Sequence, residues 1–286
     1  MTGLPKSSLL AQIESIALAA GQIILEVRQA GASVEHKGDG SPVTEADRRA
    51  EEWIARELQR LDSSIPIVGE EAASAGEYSG ASEKTFFLVD PLDGTKEFIR
   101  GKSDFTVNIC LVEHGRPCMG VVVAPARGEL YSGDGSVSYK CDLFSDGTIR
   151  QRSRISTATP SDSLSAVASA SHENTETKEF LERIAVGKKL SVGSSLKFCL
   201  VATGEADIYP RFGTTMQWDT AAGDAVLRGA GGCTLTCDGQ ELEYGATSNE
   251  MQALRNPHFV SFGGSADALR ALLRVSALQD LQLAAP

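Results

Sequence analysis

The sequence predicts a mixed fold, in which an α+β half with an antiparallel sheet precedes an α/β half. Three observations lead to this. Apolar residues recur at helical spacing over residues 7–29. The apolar runs Phe105–Val112 and Pro117–Val123 flank a short polar turn and predict a β-hairpin. After about residue 150, strand-like and helical segments alternate. We therefore expect two subdomains, 1–155 and 156–286, with a site in the crevice between them.

In the first half, two helices and two short strands precede the hairpin. The first helix has apolar side chains on one face and charges on the other. A glycine-rich loop separates it from a second helix, Glu45–Leu61. The predicted strands Ile65–Val68 and Phe86–Val89 each run directly into acidic residues. Because a rigid strand end can aim side chains at one point, these acids are candidates for a functional site.

The second half has shorter elements in regular alternation. They are the strands Val167–Ser171, Leu190–Val192 and Asp207–Tyr209, and the helices Thr177–Ile184, Leu196–Ala202 and Thr220–Arg228. No internal repeat or low-complexity linker separates them from the first half, so we expect the two halves to pack tightly.

Composition restricts the class of function. The 286 residues contain 27 Lys and Arg and 38 Asp and Glu, a net charge of −11, which disfavours nucleic acid as a partner. An anionic substrate would therefore need a local cation. The six cysteines form no CxxC pair and indicate free thiols in a reducing cytoplasm. Lys6, Glu14, Glu26 and Arg28 interrupt the N-terminal apolar residues, so we expect no targeting segment and no membrane span.

Four acidic segments carry the predicted chemistry. They are Thr44–Asp47, Gly69–Glu71, Asp90–Thr95 and Trp218–Gly223. Oxygen ligands select hard cations, and Mg²⁺ combines a few carboxylates with positions left open for phosphate. Clustered carboxylates without a cation would repel one another and raise their own pKa values. The acids therefore predict a magnesium site if the fold brings them together.

The third segment has the most specific local geometry. Pro91 restricts Asp90 to an extended conformation, and Gly94 permits a tight turn close to an anion. A helix beginning near Thr95 would offer backbone N–H groups to a phosphate. Each segment also has a purely structural explanation: a solvated loop at the Glu-Glu pair, a plain turn here, and a helix N-cap at Asp219. For Asp47, helix capping and catalysis are alternatives, and we favour catalysis.

In combination, these motifs resemble a known family. A Glu-Glu pair, Asp-Pro-Leu-Asp-Gly-Thr-Lys-Glu-Phe and Trp-Asp-Thr-Ala-Ala-Gly follow in the order typical of the inositol monophosphatase superfamily. Gly193–Ala202 and Tyr209–Gly213 resemble most closely its bacterial branch of CysQ-type 3′(2′),5′-bisphosphate nucleotidases. The resemblance extends from the first helix to about residue 262. It implies an α+β and α/β layered sandwich (αβαβα) of the sugar-phosphatase type, two or three Mg²⁺ ions and inhibition by Li⁺.

The resemblance also implies a role for each matching residue. The metal ligands would be Glu70, Asp90, the carbonyl of Leu92, Asp93 and Asp219. The catalytic residues would be Asp47 and Thr95, which orient and activate water, and Glu71, beside the ligands or at a third ion. The substrate would contact Glu70, Leu92, Asp93, Gly94, Thr95 and Asp219 around the cleaved phosphate, and His172, Ser194, Lys197 and Arg211 around the nucleoside and the second phosphate.

The implied reaction is hydrolysis of adenosine 3′,5′-bisphosphate to AMP and phosphate by metal-activated water, in sulfate assimilation and nucleotide recycling. The alternatives are an inositol monophosphatase or a fructose-1,6-bisphosphatase and, more remotely, a non-catalytic nucleotide-binding regulator. The expected partner is a small phosphate ester. Monomer and homodimer both remain open. Peripheral association with the inner membrane follows from the resemblance alone, and the acidic charge does not support it.

Overall fold

The computed structural model describes residues 5–31, 33–38, 40–76, 80–160, 163–169, 174–184, 186–246 and 250–275. Its helices are α1 (Lys6–Ala30), α2 (Glu45–Leu61), α3 (Glu70–Ser74), α4 (Thr95–Ile99), α5 (Thr175–Arg183), α6 (Leu196–Ala202), α7 (Ala221–Gly229) and α8 (Ala266–Val275). Its strands are β1 (Val34–His36), β2 (Pro42–Thr44), β3 (Ile67–Gly69), β4 (Thr85–Asp93), β5 (Thr106–Glu113), β6 (Arg116–Ala124), β7 (Glu129–Gly133), β8 (Ser138–Leu143), β9 (Ile149–Ile155), β10 (Ser165–Ser169), β11 (Lys188–Val192), β12 (Ile208–Arg211), β13 (Cys233–Thr236) and β14 (Phe259–Phe262).

The strands form two main sheets and one small hairpin. The larger sheet has seven strands in sequence order, β3 to β9, and only its β3–β4 pair is parallel. The smaller has five in the order β11-β10-β12-β14-β13, with β10 parallel to both neighbours. Strands β1 and β2 pair separately. The predicted hairpin is thus the centre of the larger sheet, β5 and β6.

Three hydrophobic clusters arrange these elements in five layers. Helices α1 and α2 pack on one face of the larger sheet. Helices α6 and α7 lie between its other face and the smaller sheet. Helices α5 and α8 cover the far face of the smaller sheet. The predicted αβαβα sandwich is confirmed, and the shared middle layer makes the two halves a packed unit. The subdomain division at 155/156 stays a prediction, although the larger sheet ends at Ile155.

The predicted elements are present, with differences at their ends. Helix α2 has the predicted bounds, since a capping box defines its start. The strand predicted to end at Val89 continues through Asp90 to Asp93 as β4. Asp90 is therefore inside a strand and not just beyond it, because the residue before Pro91 favours an extended backbone.

Helix α1 is longer and more continuously apolar than the sequence analysis expected. By length and composition it could cross a membrane, with a mean hydropathy of 1.5 over an 18-residue window. Lys6, Glu26 and Arg28 lie towards its ends, so they interrupt the apolar stretch less than expected. Half of that window is buried inside the protein, and Ile13 and Ile24 are fully buried in the cluster with α2 and the larger sheet. We interpret α1 as a core helix.

Candidate functional site

One cavity collects most of the predicted site residues from both halves. Its volume is about 340 Å³. Predicted residues in its lining are Glu70, Asp93, Gly94 and Thr95 from the first half, and Ser194, Lys197, Arg211 and Asp219 from the second. His172, the remaining nucleoside-binding candidate, lies outside the described residues.

Asp47 uses its two carboxylate oxygens for different partners. Oδ2 accepts hydrogen bonds from Thr44 N at 2.8 Å and Thr44 Oγ1 at 2.6 Å, as in a capping box. Oδ1 lies 3.1 Å from Thr95 Oγ1, which can donate to it. One oxygen therefore serves the helix cap and the other contacts Thr95, so the cap leaves room for the catalytic role, which stays a prediction. Burial raises the pKa of Asp47, while its bonds from Thr44 and Thr95 oppose that rise.

The end of β4 presents the central acids on an irregular turn. The pairing of β4 with β5 shifts register between Asp90 and Asp93, which turns the two carboxylates out of regular strand alternation. Asp90 Oδ1 accepts from Leu92 N at 3.0 Å. Gly94 then adopts the left-handed conformation (φ 96°), and a Cβ there would lie 2.9 Å from Asp104 O. This position thus requires glycine, and α4 begins at the next residue as predicted.

Ser195 connects the two halves, and the sequence did not single it out. Its backbone N–H donates to Asp93 Oδ2 at 2.6 Å. Its Oγ lies 3.1 Å from the same oxygen and 2.6 Å from Asp219 O, and it accepts from Asn108 Nδ2 at 2.9 Å. The family resemblance had indicated its neighbour Ser194 instead, as a substrate contact. Ser195 holds Asp93 and the backbone of Asp219 in one arrangement.

Asp219 does not cap the helix that follows it. Its Oδ2 accepts from Met216 N at 2.9 Å, which closes the short 3₁₀ turn Gln217–Asp219. Helix α7 begins two residues later, after Thr220. The side chain is therefore oriented by its own turn, at the wall of the cavity.

Three acids of the cavity lining, Glu70, Asp93 and Asp219, and the buried Asp90 beside them disfavour being ionised together. Burial is the largest cause of raised pKa values at Glu70, Asp90, Asp93 and Asp219. At Asp90 the charges of the other three add to it. The pKa of Asp219 is raised to about 8 by burial and then by Asp93 and Glu70. A cation placed among these groups would stabilise their ionised forms.

Lys37 supplies one such cation from the chain itself. Its Nζ lies 2.7 Å from Glu70 Oε1 and 2.7 Å from Glu71 Oε1. Burial opposes its charge, but the two carboxylates raise its pKa above the ordinary value. The pKa of Glu71 is raised to about 7, mainly by burial. Sequence reasoning missed Lys37 because it precedes an irregular loop without periodicity.

The donor set fits magnesium in its chemistry. Within the described ranges, no three His, Cys, Asp or Glu side chains already stand in an arrangement that could hold a metal ion. Lys37, Ser195 and the backbone of Met216 engage some of the carboxylate oxygens. The available metal-binding atoms are nevertheless all oxygens, which are the ligands that a hard divalent cation prefers. The negative charges of these buried acids repel one another, and a bound cation would offset that repulsion.

Glu51 holds the backbone that carries the Glu-Glu pair. Its Oε2 accepts from Glu71 N at 2.9 Å and its Oε1 from Ala72 N at 2.7 Å, so it satisfies the first N–H groups of α3. The carboxylate stands close to Gly69, where an added Cβ would lie 2.7 Å from it. Glu51 and Asp47 lie one turn apart on α2. Through Asp47 this helix contacts the hydroxyl of Thr95, and through Glu51 it holds the backbone next to Glu70.

We expect Glu51→Gln to weaken Mg²⁺ binding by about 10- to 100-fold, as loss of a group that orients ligands does. The amide retains one acceptor oxygen, so one N–H of α3 loses its partner and Glu70 is less well held. Titration calorimetry with MgCl₂ measures the affinity. The matched control is Glu52→Gln, an exposed neighbour on the same helix. Equal affinities for the two variants would contradict the role of Glu51.

Lys197 and Arg211 give the cavity a cationic side. Lys197 is 7% exposed, and its Nζ donates to Ser194 O at 2.5 Å and lies 5.4 Å from the centre of the Tyr209 ring. Burial lowers the pKa of Lys197 to about 8, although Asp93 opposes this. Arg211 Nη2 donates to Thr214 O at 2.9 Å. Its Nε is buried and has no hydrogen-bond partner among the described residues.

Comparisons with known proteins show the family of this chain and support the fold described above. The model of the inositol monophosphatase family matches residues 6–261. The 3′(2′),5′-bisphosphate nucleotidase CysQ of Escherichia coli (strain K12) is 39% identical over 253 residues, 88% of this chain and 98% of that protein. The crystal structure of CysQ from Bacteroides thetaiotaomicron has a TM-score of 0.73 and 36% identity, covering 90% of this chain and 98% of that one. An inositol monophosphatase from Anabaena, with a TM-score of 0.70 and 22% identity over 97% of both chains, shares the fold.

Proposed function

We propose, since the chain belongs to the inositol monophosphatase family, that it is a Mg²⁺-dependent phosphomonoesterase acting on 3′(2′),5′-bisphosphate nucleotides. Its preferred substrate is adenosine 3′,5′-bisphosphate, which it converts to AMP and phosphate. The reaction belongs to sulfate assimilation and to recycling of its nucleotide by-product.

The proposal rests on one observation: the same cavity is lined by both acidic and cationic side chains. Glu70, Asp93 and Asp219 form an acidic side, which suits a metal and the phosphate to be cleaved. Lys197 and Arg211 form a cationic side, which suits a second phosphate. An inositol monophosphate has only one phosphate, so it has no second phosphate for Lys197 and Arg211 to bind. Fructose 1,6-bisphosphate has two, and the identity to CysQ nucleotidases favours the nucleotide.

The residues divide the chemistry between them. Glu70, Asp90, Asp93, Asp219 and the carbonyl of Leu92 would hold Mg²⁺, which when bound supplies positive charge to the phosphate and lowers the pKa of a water. Thr95 Oγ1 lies 3.1 Å from Asp47 Oδ1 and 3.1 Å from Leu92 O. By donating to Asp47, the hydroxyl keeps a lone pair free to orient the attacking water. Asp47 then receives a proton through Thr95.

We expect Lys197→Met to raise KM for adenosine 3′,5′-bisphosphate by about 10- to 100-fold, the loss typical of a hydrogen bond to a charged group. The KM for p-nitrophenyl phosphate, which has no second phosphate, should change far less. Steady-state phosphate release on both substrates measures the difference. Lys102→Met, at an exposed lysine, is the control. A similar rise for both substrates would contradict a role in binding the second phosphate.

The substrate class needs a direct comparison. Phosphate release from adenosine 3′,5′-bisphosphate, inositol 1-phosphate and fructose 1,6-bisphosphate should be measured side by side with MgCl₂. We expect the highest kcat/KM for the nucleotide. A higher value for either sugar phosphate would contradict the proposal and favour that alternative. The proposal also includes two or three Mg²⁺ ions, inhibition by Li⁺ and a location in the cytoplasm.

A further inference from the structure

Glu97 is a buried acid that the proposed reaction does not use. It lies on α4, two residues after Thr95, and lines the same cavity. It is only 5% exposed, and its Oε1 has no hydrogen-bond partner among the described residues. Buried carboxylate oxygens in folded proteins are nearly always paired, so one without a partner beside a cavity indicates that a ligand group completes it.

The surroundings of Glu97 include glycine, serine and lysine residues of the same cavity lining. Its Cγ stands against Gly193, 3.4 Å from where a Cβ on that glycine would lie. The next residue, Ser194, is 9% exposed, and its Oγ also lacks a partner within the described ranges. The charge of Glu97 contributes to the environment of Lys197. The cavity lining around Glu97 therefore contains an acceptor, a hydroxyl and an ammonium group.

The chemistry of a carboxylate restricts what it can contact. An ionised carboxylate only accepts hydrogen bonds and repels phosphate, so it must face a donor of the substrate. In a nucleoside 3′,5′-bisphosphate the carbon next to the cleaved ester carries a hydroxyl. The 2′,5′ isomer offers a hydroxyl at the neighbouring 3′ carbon instead. One acceptor beside the phosphate turn could therefore serve both isomers.

On the basis of the proposed function, we infer that Glu97 accepts a hydrogen bond from the ribose hydroxyl next to the cleaved phosphate. Glu97 is thus a specificity-determining residue that selects ribose over deoxyribose. A ribose substrate gains this hydrogen bond, whereas a substrate that lacks the hydroxyl leaves the carboxylate oxygen as it is in the free protein. Only the ribose substrate therefore gains binding energy from Glu97.

The test compares adenosine 3′,5′-bisphosphate with 2′-deoxyadenosine 3′,5′-bisphosphate by kcat/KM. We expect the wild-type enzyme to prefer the ribose substrate by about 10- to 100-fold. Glu97→Leu should lower this preference towards unity by reducing turnover of the ribose substrate. Glu97→Gln, which keeps an acceptor oxygen, should restore part of it. Glu83→Gln, at an exposed acid away from the cavity lining, should keep the wild-type preference.

The outcomes separate this inference from the proposed function. If the wild-type enzyme releases no phosphate from either nucleotide, the proposed function is wrong. If it hydrolyses both nucleotides equally well, or if Glu97→Leu keeps the full ribose preference, only the role of Glu97 is wrong. Thermal melting of each variant checks folding. A folded Glu97→Leu protein that loses activity equally on both substrates would assign Glu97 a structural role and overturn the inference.

Discussion

Asp93→Asn should lower Mg²⁺-dependent phosphate release from adenosine 3′,5′-bisphosphate by about 10³-fold, the upper range for losing one electrostatic contact to the transition state. Asp93 lines the cavity, and its Oδ2 accepts a hydrogen bond from the backbone N–H of Ser195, whose Oγ lies 3.1 Å away. An amide of the same shape can keep a bond from Ser195 but lacks the negative charge that a divalent cation needs. Steady-state assays with saturating nucleotide and a series of MgCl₂ concentrations measure the loss.

The stability of the same variant provides the control. Because the pKa of Asp219 is raised from 3.8 to about 8, the folded metal-free protein retains a proton that the unfolded chain releases. Metal-free wild-type protein should therefore lose stability as the pH rises from about 4 to about 8. Asp93→Asn removes one repelling charge and should weaken this dependence, while gaining less from MgCl₂ in thermal melts. Full activity, or an undiminished Mg²⁺ effect on melting, would contradict the metal role of Asp93.

Asp47→Asn should reduce kcat by about 10²- to 10⁴-fold, the range for loss of a positioned general base. Asp47 is 1% exposed, and its Oδ1 stands 3.1 Å from Thr95 Oγ1. An amide at this position cannot take up a proton, and its nitrogen can displace Thr95 from its orientation. Thr95→Ser keeps the hydroxyl and should retain most of the activity, whereas Thr95→Ala should lose nearly as much as Asp47→Asn. Single-turnover phosphate release distinguishes these effects from changes in nucleotide binding.

The helix cap must be separated from the chemistry, since Asp47 serves both. Thr44→Val removes the hydroxyl that donates to Asp47 Oδ2 and leaves the contact with Thr95 in place. It should lower the free energy of unfolding by about 1 kcal/mol, as loss of a helix cap does, and reduce activity far less than Asp47→Asn. If the two variants lose stability and activity in the same proportion, Asp47 acts only as a cap.

Local patterns in the sequence were sufficient to predict the helices and strands and to indicate a site for a hard cation. The apolar spacing and the Thr44 cap predicted α2 to the residue, because both signals lie within a few residues of each other. The hairpin predicted β5 and β6 for the same reason. Clusters of acids with no histidine or cysteine partner indicated a hard cation, since oxygen donors select it whatever the fold.

The tertiary structure alone decided which groups meet. Thr95 reaches Asp47 across 48 residues of sequence, and Ser195 reaches Asp93 across 102. Periodicity shows which face of an element is buried, but not which distant element packs against it. For this reason Lys37, Glu51 and Ser195 were not anticipated, although they hold the acids in place. The sequence by itself therefore determined the fold class and the acidic, phosphate-handling character of the site. Long-range packing decided how each carboxylate is oriented, and it left Glu97 Oε1 without a hydrogen-bond partner among the described residues.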